Sequence, residues 1–223
     1  MAWYDNAVFY HIYPLGLCGC AHENDGQPTP GAFQKLNDWA AHAADIGCTA
    51  IYIGPLFESG SHGYDTIDYR RVDRRLGTNE EFKEFVANCH ARGQHVIVDG
   101  VFNHVGWNFF AFDDVVRNGE NSKYKNWFYH LQFPVERPED PETYPTYECF
   151  GYERMMPKTN TCNPEVQEYF CEVGRYWVRE FDIDGWRLDV ASEINDGFWR
   201  AFRQAVKEEK SECILIGEGW ETA

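Results

Sequence analysis

No run of eighteen apolar residues occurs in this 223-residue chain, so nothing in it reads as a membrane span. The opening residues, MAWYDNAVFYHIYP, lack the basic segment followed by an apolar segment that marks a secretory signal. Low-complexity tracts and short repeats are also missing. Positive charge is scarce: 20 Lys and Arg stand against 36 Asp and Glu, a net charge of −16. Such a surface repels phosphate backbones and anionic headgroups, which argues against nucleic-acid and membrane partners. A neutral ligand such as a sugar meets no such barrier. Cysteine is plentiful at eight, but Cys18 and Cys20 have no second pair or His at zinc-finger spacing. With no secretory signal visible, the cysteines read as reduced thiols of a cytoplasmic protein, and no residue is assigned to a metal. Aromatic residues are abundant, with 16 Phe, 13 Tyr and 8 Trp. Core filling accounts for most such rings, and stacking on a flat ligand is the second use open to them.

Strand and helix patterns alternate along the chain. Ala7 to Tyr13 is aromatic and β-branched and stops at Pro14, which reads as a strand. Phe33, Leu36, Ala40, Ala43 and Ile46 recur at helical spacing before Gly47. Thr49 to Ile53 is a second strand. Thr78-Asn-Glu-Glu81 is a capping box, and it leads into a helix whose inner face is Phe82, Phe85, Val86 and Cys89. His95 to Asp99 is a third strand. Asn163-Pro164 is an N-cap with proline at the first helical position, opening a helix with Val166, Phe170, Val173 and Trp177 inward. Gly185 to Val190 is a fourth strand, Asp196 to Lys210 a helix, and Cys213 to Gly217 a fifth strand.

Short apolar strands alternating with helices imply an α/β fold with a parallel sheet covered on both faces. Residues 105–162 carry Pro, Tyr and Phe without a long periodic helix, and a stretch of that length is too long for one structureless loop. They read as a subdomain inserted after the third strand, between sheet segments 1–104 and 163–223.

Polar clusters stand at three strand ends: Asp99 with Asn103 and His104, Arg187 with Asp189, and Glu218. In α/β barrels that end collects catalytic residues. Arg187 and Asp189 are two apart, so one face of a strand presents both. A guanidinium beside Asp189 is expected to keep it ionised, as a nucleophile requires. Glu218, between two glycines and near Trp220, is expected to have a raised pKa, as an acid requires. Two carboxyls driven in opposite directions are the mark of glycoside hydrolysis.

The stretches Val98-Asp-Gly-Val-Phe-Asn-His104, Asp184-Gly-Trp-Arg-Leu-Asp-Val190 and Ile216-Gly-Glu-Gly-Trp220 resemble three signature regions of the α-amylase family, in order. Met156-Pro-Lys-Thr-Asn160 and Leu188-Asp-Val-Ala-Ser-Glu193 resemble its neopullulanase, cyclomaltodextrinase and maltogenic amylase subgroup. The resemblance implies a (β/α)₈ TIM barrel, here about five βα units with the inserted subdomain. It implies retaining hydrolysis of α-1,4 and in some members α-1,6 bonds of maltodextrins, starch or cyclodextrins. By position, Asp189 is the expected nucleophile and Glu218 the acid/base. Tyr64, His104, Arg187, Glu193 and Trp220 are expected to bind the α-glucan oligosaccharide, with Asp99 and Asn103 in support. No organic cofactor is implied. Calcium is common in the family, but no dense cluster of oxygen ligands stands out in the sequence.

The chain departs from the family pattern in four places. The fourth signature region, with its third catalytic carboxylate, does not occur in the 223 residues. Thr159 stands where the subgroup usually has Leu, Glu221 where it has His, and no β-sandwich precedes the first strand. The expectations that follow are very poor or no hydrolysis of maltodextrin by this chain alone and self-association through an open barrel edge. A non-catalytic glucan-binding or assembly fragment is the alternative.

Overall fold

The computed structural model describes residues 2–140 and 142–220, so Glu221 and Ala223 lie outside the described residues. The first strand, β1 (Phe9–Ile12), is shorter than the sequence suggests. Pro14 does not merely end it. Its fixed φ suits a first helical position, and it opens the short helix α1 (Pro14–Cys18). Gly19, at φ 71°, ends α1 in the left-handed region.

Helix α2 (Ala32–Asp45) buries Phe33, Leu36, Ala40 and Ala43 as the spacing predicts. Ile46 departs from that expectation and is 58% exposed. The helix has already ended at Asp45, and Ile46 caps it, so the periodicity no longer governs where Ile46 points. Strand β2 (Ala50–Ile53) follows. The sequence pattern then hid an antiparallel hairpin, β3 (Phe57–Ser59) with β4 (Thr66–Val72). Its connecting loop carries Tyr64. Helix α3 (Asn79–Ala91) begins with the expected capping box: the Glu81 amide donates to the Thr78 hydroxyl at 3.2 Å, and the Thr78 amide donates to the Glu81 carboxylate at 2.9 Å.

After β5 (His95–Gly100) comes the inserted stretch. It holds the amphipathic helix α4 (Phe110–Asn118) and the hairpin β6 (Cys149–Phe150) with β7 (Glu153–Pro157). Helix α5 (Pro164–Phe181) starts where Asn163 accepts the Glu165 amide at 2.8 Å. Strand β8 (Gly185–Leu188), helix α6 (Asp196–Glu209) and strand β9 (Ile214–Gly217) complete the order.

The five long-range strands form one parallel sheet in the order β1-β2-β5-β8-β9. Each successive strand adds on one side and returns through a helix, the winding of a TIM barrel. On its helix-facing side, Trp186 is fully buried against Phe202 of α6 and Phe57. Phe102 packs among Phe170, Phe198 and Phe202 there, binding the end of β5 to α5 and α6. Burying one such ring contributes about 1.5–3 kcal/mol, so this aromatic layer anchors the sheet firmly to its helices.

Register then aligns the polar residues. Asp99 pairs with Arg187, and Arg187 with Ile216. Side chains alternate along a strand, so the face opposite Trp186 carries Arg187, and two residues on, Asp189 and Glu218. The ladder continues one step past the strands: the Asp189 amide donates to Gly100 at 3.0 Å and the Glu218 amide to Leu188 at 2.9 Å.

Candidate active site

Arg187 is the hub of the site. Its Nη1 lies 2.8 Å from Asp99 Oδ1 and 2.8 Å from Asp189 Oδ1, and its Nη2 lies 2.8 Å from Glu218 Oε2. Three carboxylates thus converge on one cation. Asp99 is wholly buried beneath it and accepts the Tyr52 hydroxyl at 2.6 Å and the Tyr64 hydroxyl at 3.4 Å. Tyr52, unassigned from the sequence, is held in turn by His11, whose ring stacks on it at 4.1 Å.

The sequence-based electrostatics are reversed. Asp189 was expected to be held ionised by Arg187, yet its pKa is raised to about 7. Burial is the main cause, and the charge of Asp99 adds to it, together outweighing the pull of Arg187. Glu218 was expected to be raised, yet it is lowered. Burial raises it, but the Val190 amide, donating to its Oε2 at 3.1 Å, and Arg187 outweigh that. The reversal has a plain cause. Arg187 reaches across to β9 as well as along its own strand, and Asp189 sits deeper than Glu218. Of the two carboxyls, Asp189 is therefore the one that keeps a proton to the higher pH in the ligand-free site.

A cavity of about 260 Å³ opens over these groups. Tyr64, His104, Arg187, Asp189, Glu218 and Trp220 line it, joined by His62, Phe150, Met156 and Val190. His104 is 1% exposed, and its Nε2 has no hydrogen-bond partner among the described residues. Burial, aided by His62 and Lys158, lowers its pKa to about 3, so the ring is neutral. Phe150 stacks on His104 at 4.7 Å and meets Trp220 edge-on at 6.3 Å. No pattern in the sequence singled out Phe150, because its place on the cavity wall depends on how the inserted stretch folds back. Val190 adopts φ 46°, a left-handed conformation that is rare for a β-branched residue and costs about 1–3 kcal/mol. That turn is what aims its amide at Glu218.

Three assigned residues do not line the cavity: Asp99 beneath Arg187, and two that lie farther from it. Asn103 is buried behind His104, its side-chain amide 3.5 Å from Nδ1. Glu193 is on the rim, where Lys158 Nζ binds its carboxylate at 3.0 Å. Lys158 also approaches Glu148 at 3.6 Å. The unusual Thr159 is explained by its surroundings: its hydroxyl donates to the Phe102 carbonyl at 2.5 Å and its amide to Asn103 at 3.0 Å, pinning the inserted stretch beneath the site. Among the described residues, no group of three or more His, Cys, Asp or Glu is placed to hold a metal ion. No helix among them is long and apolar enough to cross a membrane.

Comparison with known proteins agrees with this fold. A cyclomaltodextrinase from Geobacillus thermopakistaniensis is 42% identical over 99% of the chain and 40% of its own length. An intracellular maltogenic amylase from Bacillus subtilis is 39% identical over 99% of the chain and 39% of its own length. The chain thus spans about 40% of the length of these curated relatives. Among solved structures, a cyclic α-maltosyl-(1→6)-maltose hydrolase from Arthrobacter globiformis, in complex with that sugar, superposes with a TM-score of 0.85 at 36% identity, covering 97% of the chain and 51% of that protein. The family model for the α-amylase catalytic domain matches residues 22–223, and the chain belongs to that family.

Proposed function

We propose that the chain is the catalytic-barrel portion of a retaining hydrolase that cleaves α-1,4 and α-1,6 glucosidic bonds in maltodextrins, starch or cyclodextrins. The observation that carries this reading is the meeting of Asp189 and Glu218, from adjacent strand ends, on one guanidinium inside a cavity with aromatic walls. In it, residues 1–104 and 163–223 form the barrel portion and 105–162 the inserted subdomain.

In the first step the Asp189 carboxylate attacks the anomeric carbon while Glu218 protonates the departing glycosidic oxygen. In the second, water attacks that carbon, Glu218 takes the water's proton, and the ester bond to Asp189 breaks. Two inversions give retention. The ligand-free proton on Asp189 must move to Glu218 as the sugar enters. Two carboxyls sharing Arg187 titrate as a pair, so one proton serves both arrangements. His104 binds a sugar hydroxyl through its unpartnered Nε2. Tyr64 and Trp220 stack on sugar rings, Arg187 orients Asp189, Asp99 and Asn103 brace the hub, and Glu193 stands on the acceptor rim.

The cytoplasm is the proposed location, supported by eight free thiols and by the name of the intracellular relative.

The decisive assay is release of reducing ends from maltoheptaose, with the product anomer read by NMR. α-Anomeric product, lost at least about 10³-fold in Glu218→Gln, supports the mechanism. β-Anomeric product refutes retention. Binding of maltoheptaose without any cleavage would identify the alternative, a glucan-binding or assembly fragment.

A further inference from the structure

The three most exposed large apolar side chains among the described residues are Tyr152 at 82%, Tyr144 at 75% and Trp220 at 66%. They are not scattered. Trp220 lies at the mouth of the catalytic cavity and meets Phe150 edge-on, and Phe150 belongs to β6. Tyr152 sits at the tip of the β6–β7 hairpin, just after Gly151, and Tyr144 lies beside it with ring centroids 6.5 Å apart. Isolated exposed rings are ordinary, but rings paired on and beside one hairpin mark a binding surface.

A second cavity, of about 270 Å³, lies under these tyrosines and is lined also by Cys149 and Arg154. Cys149 faces this cavity while its neighbour Phe150 faces the catalytic one, as alternation along a strand requires. The two cavities are thus opposite sides of one short strand. The loop carrying Tyr144 is fastened from below: the Arg154 guanidinium donates to the carbonyls of Pro138, Asp140 at 2.8 Å and Thr143 at 2.7 Å. The Tyr147 hydroxyl donates to the Arg154 carbonyl at 2.6 Å, tying loop and hairpin together. Tyr144 and Tyr152 are therefore exposed rings on a braced backbone, and their exposure is built in.

We propose that Tyr144 and Tyr152 form a second α-glucan binding site, which holds a long chain whose other end lies in the catalytic cavity. This rests on the α-glucan reading of that cavity. Sugar rings present apolar C–H faces that stack on aromatic rings, and a neutral ligand suits a surface of net charge −16. The two rings are inclined at 39°. Successive glucosyl units of an α-linked chain turn relative to one another, so inclined rings meet two units in succession. A straight β-linked chain, with its flat ribbon of rings, fits coplanar platforms instead. Phe150 with Trp220 on one side of the hairpin, and Tyr152 with Tyr144 on the other, give the chain an aromatic pair at each site.

The test is calorimetric titration of the 223-residue chain carrying Glu218→Gln, so that the sugar is not consumed, with and without Tyr144→Ala/Tyr152→Ala. Both tyrosines are exposed, and circular dichroism checks that the fold is retained. The double substitution is expected to weaken maltoheptaose binding about tenfold and leave maltotriose, which fills only the cavity, unchanged. Cellohexaose is expected to bind neither protein. Unchanged maltoheptaose affinity overturns this site and leaves the catalytic reading intact. No binding of either maltosaccharide by the parent overturns both. A fall in light-scattering mass with unchanged sugar affinity would show that the tyrosines dock a second copy of the chain, and also overturns the site.

Discussion

Replacing Asp189 by Asn is expected to stabilise the folded chain at pH 8 while abolishing turnover. Asp189 is 5% exposed and shares one cation with two other carboxylates, so its charge is costly to hold. Its folded pKa of about 7 lies above the ordinary 3.8, so folding favours the protonated form. That preference is harmless below pH 3.8, where both states carry the proton. Stability is lost progressively as pH rises from there, and the loss is complete above about 7. The displacement from 3.8 to about 7 corresponds to about 4 kcal/mol. Asparagine is nearly isosteric and uncharged, and Arg187 keeps Asp99 and Glu218 as partners. Allowing for imperfect replacement of the Arg187 contact, the gain at pH 8 should be about 2–4 kcal/mol. It should shrink towards zero at pH 4. Urea unfolding of both proteins at the two pH values measures it through the shift in midpoint. An Asp189→Asn variant that is no more stable at pH 8, or a gain equal at pH 4 and 8, would refute the claim that a strained charge is stored at this position.

Asp184, at the other end of β8, should behave oppositely. Burial raises its pKa, but His90 at 2.8 Å, Lys210 at 2.8 Å and the Val96 amide outweigh this and leave it lowered. Its stabilisation is present above pH 3.8 and lost as pH falls through the lower folded value, so Asp184→Asn should cost about 1–3 kcal/mol at pH 7 and little at low pH in urea titrations. Arg75→Met leaves fully buried Asp73 without its cation and should cost about 3–5 kcal/mol of unfolding free energy. The basic limb of kcat/KM should fall near pH 7, where the free site loses the Asp189 proton that Glu218 must receive; full kcat/KM kept well above pH 7 would contradict the raised pKa. His104→Ala should weaken maltotriose binding by up to about tenfold in calorimetry, the worth of one hydrogen bond.

Much of the fold was legible because its signals are local. The Thr78 capping box, the Asn163-Pro164 start and the inward faces of α2, α3 and α5 depend only on residues within a few positions of one another. The β3–β4 hairpin and Pro14's helix were missed, since short elements are shaped by what they pack on. The candidate site was legible as residue types at strand ends: alternation alone puts Arg187 and Asp189 on one face.

What the chain could not declare residue by residue is how the strands lie beside one another. Register brings Asp99, Asp189 and Glu218 to one guanidinium, and that convergence inverts the two pKa directions that neighbours in sequence suggest. Folding back of the inserted stretch sets Phe150 against His104 and lets Lys158 draw Glu193 to the rim. Local patterning determines elements because backbone hydrogen bonds and side-chain alternation act over a few residues. Charge and burial act through space, so the protonation of this site was decided only by the tertiary structure.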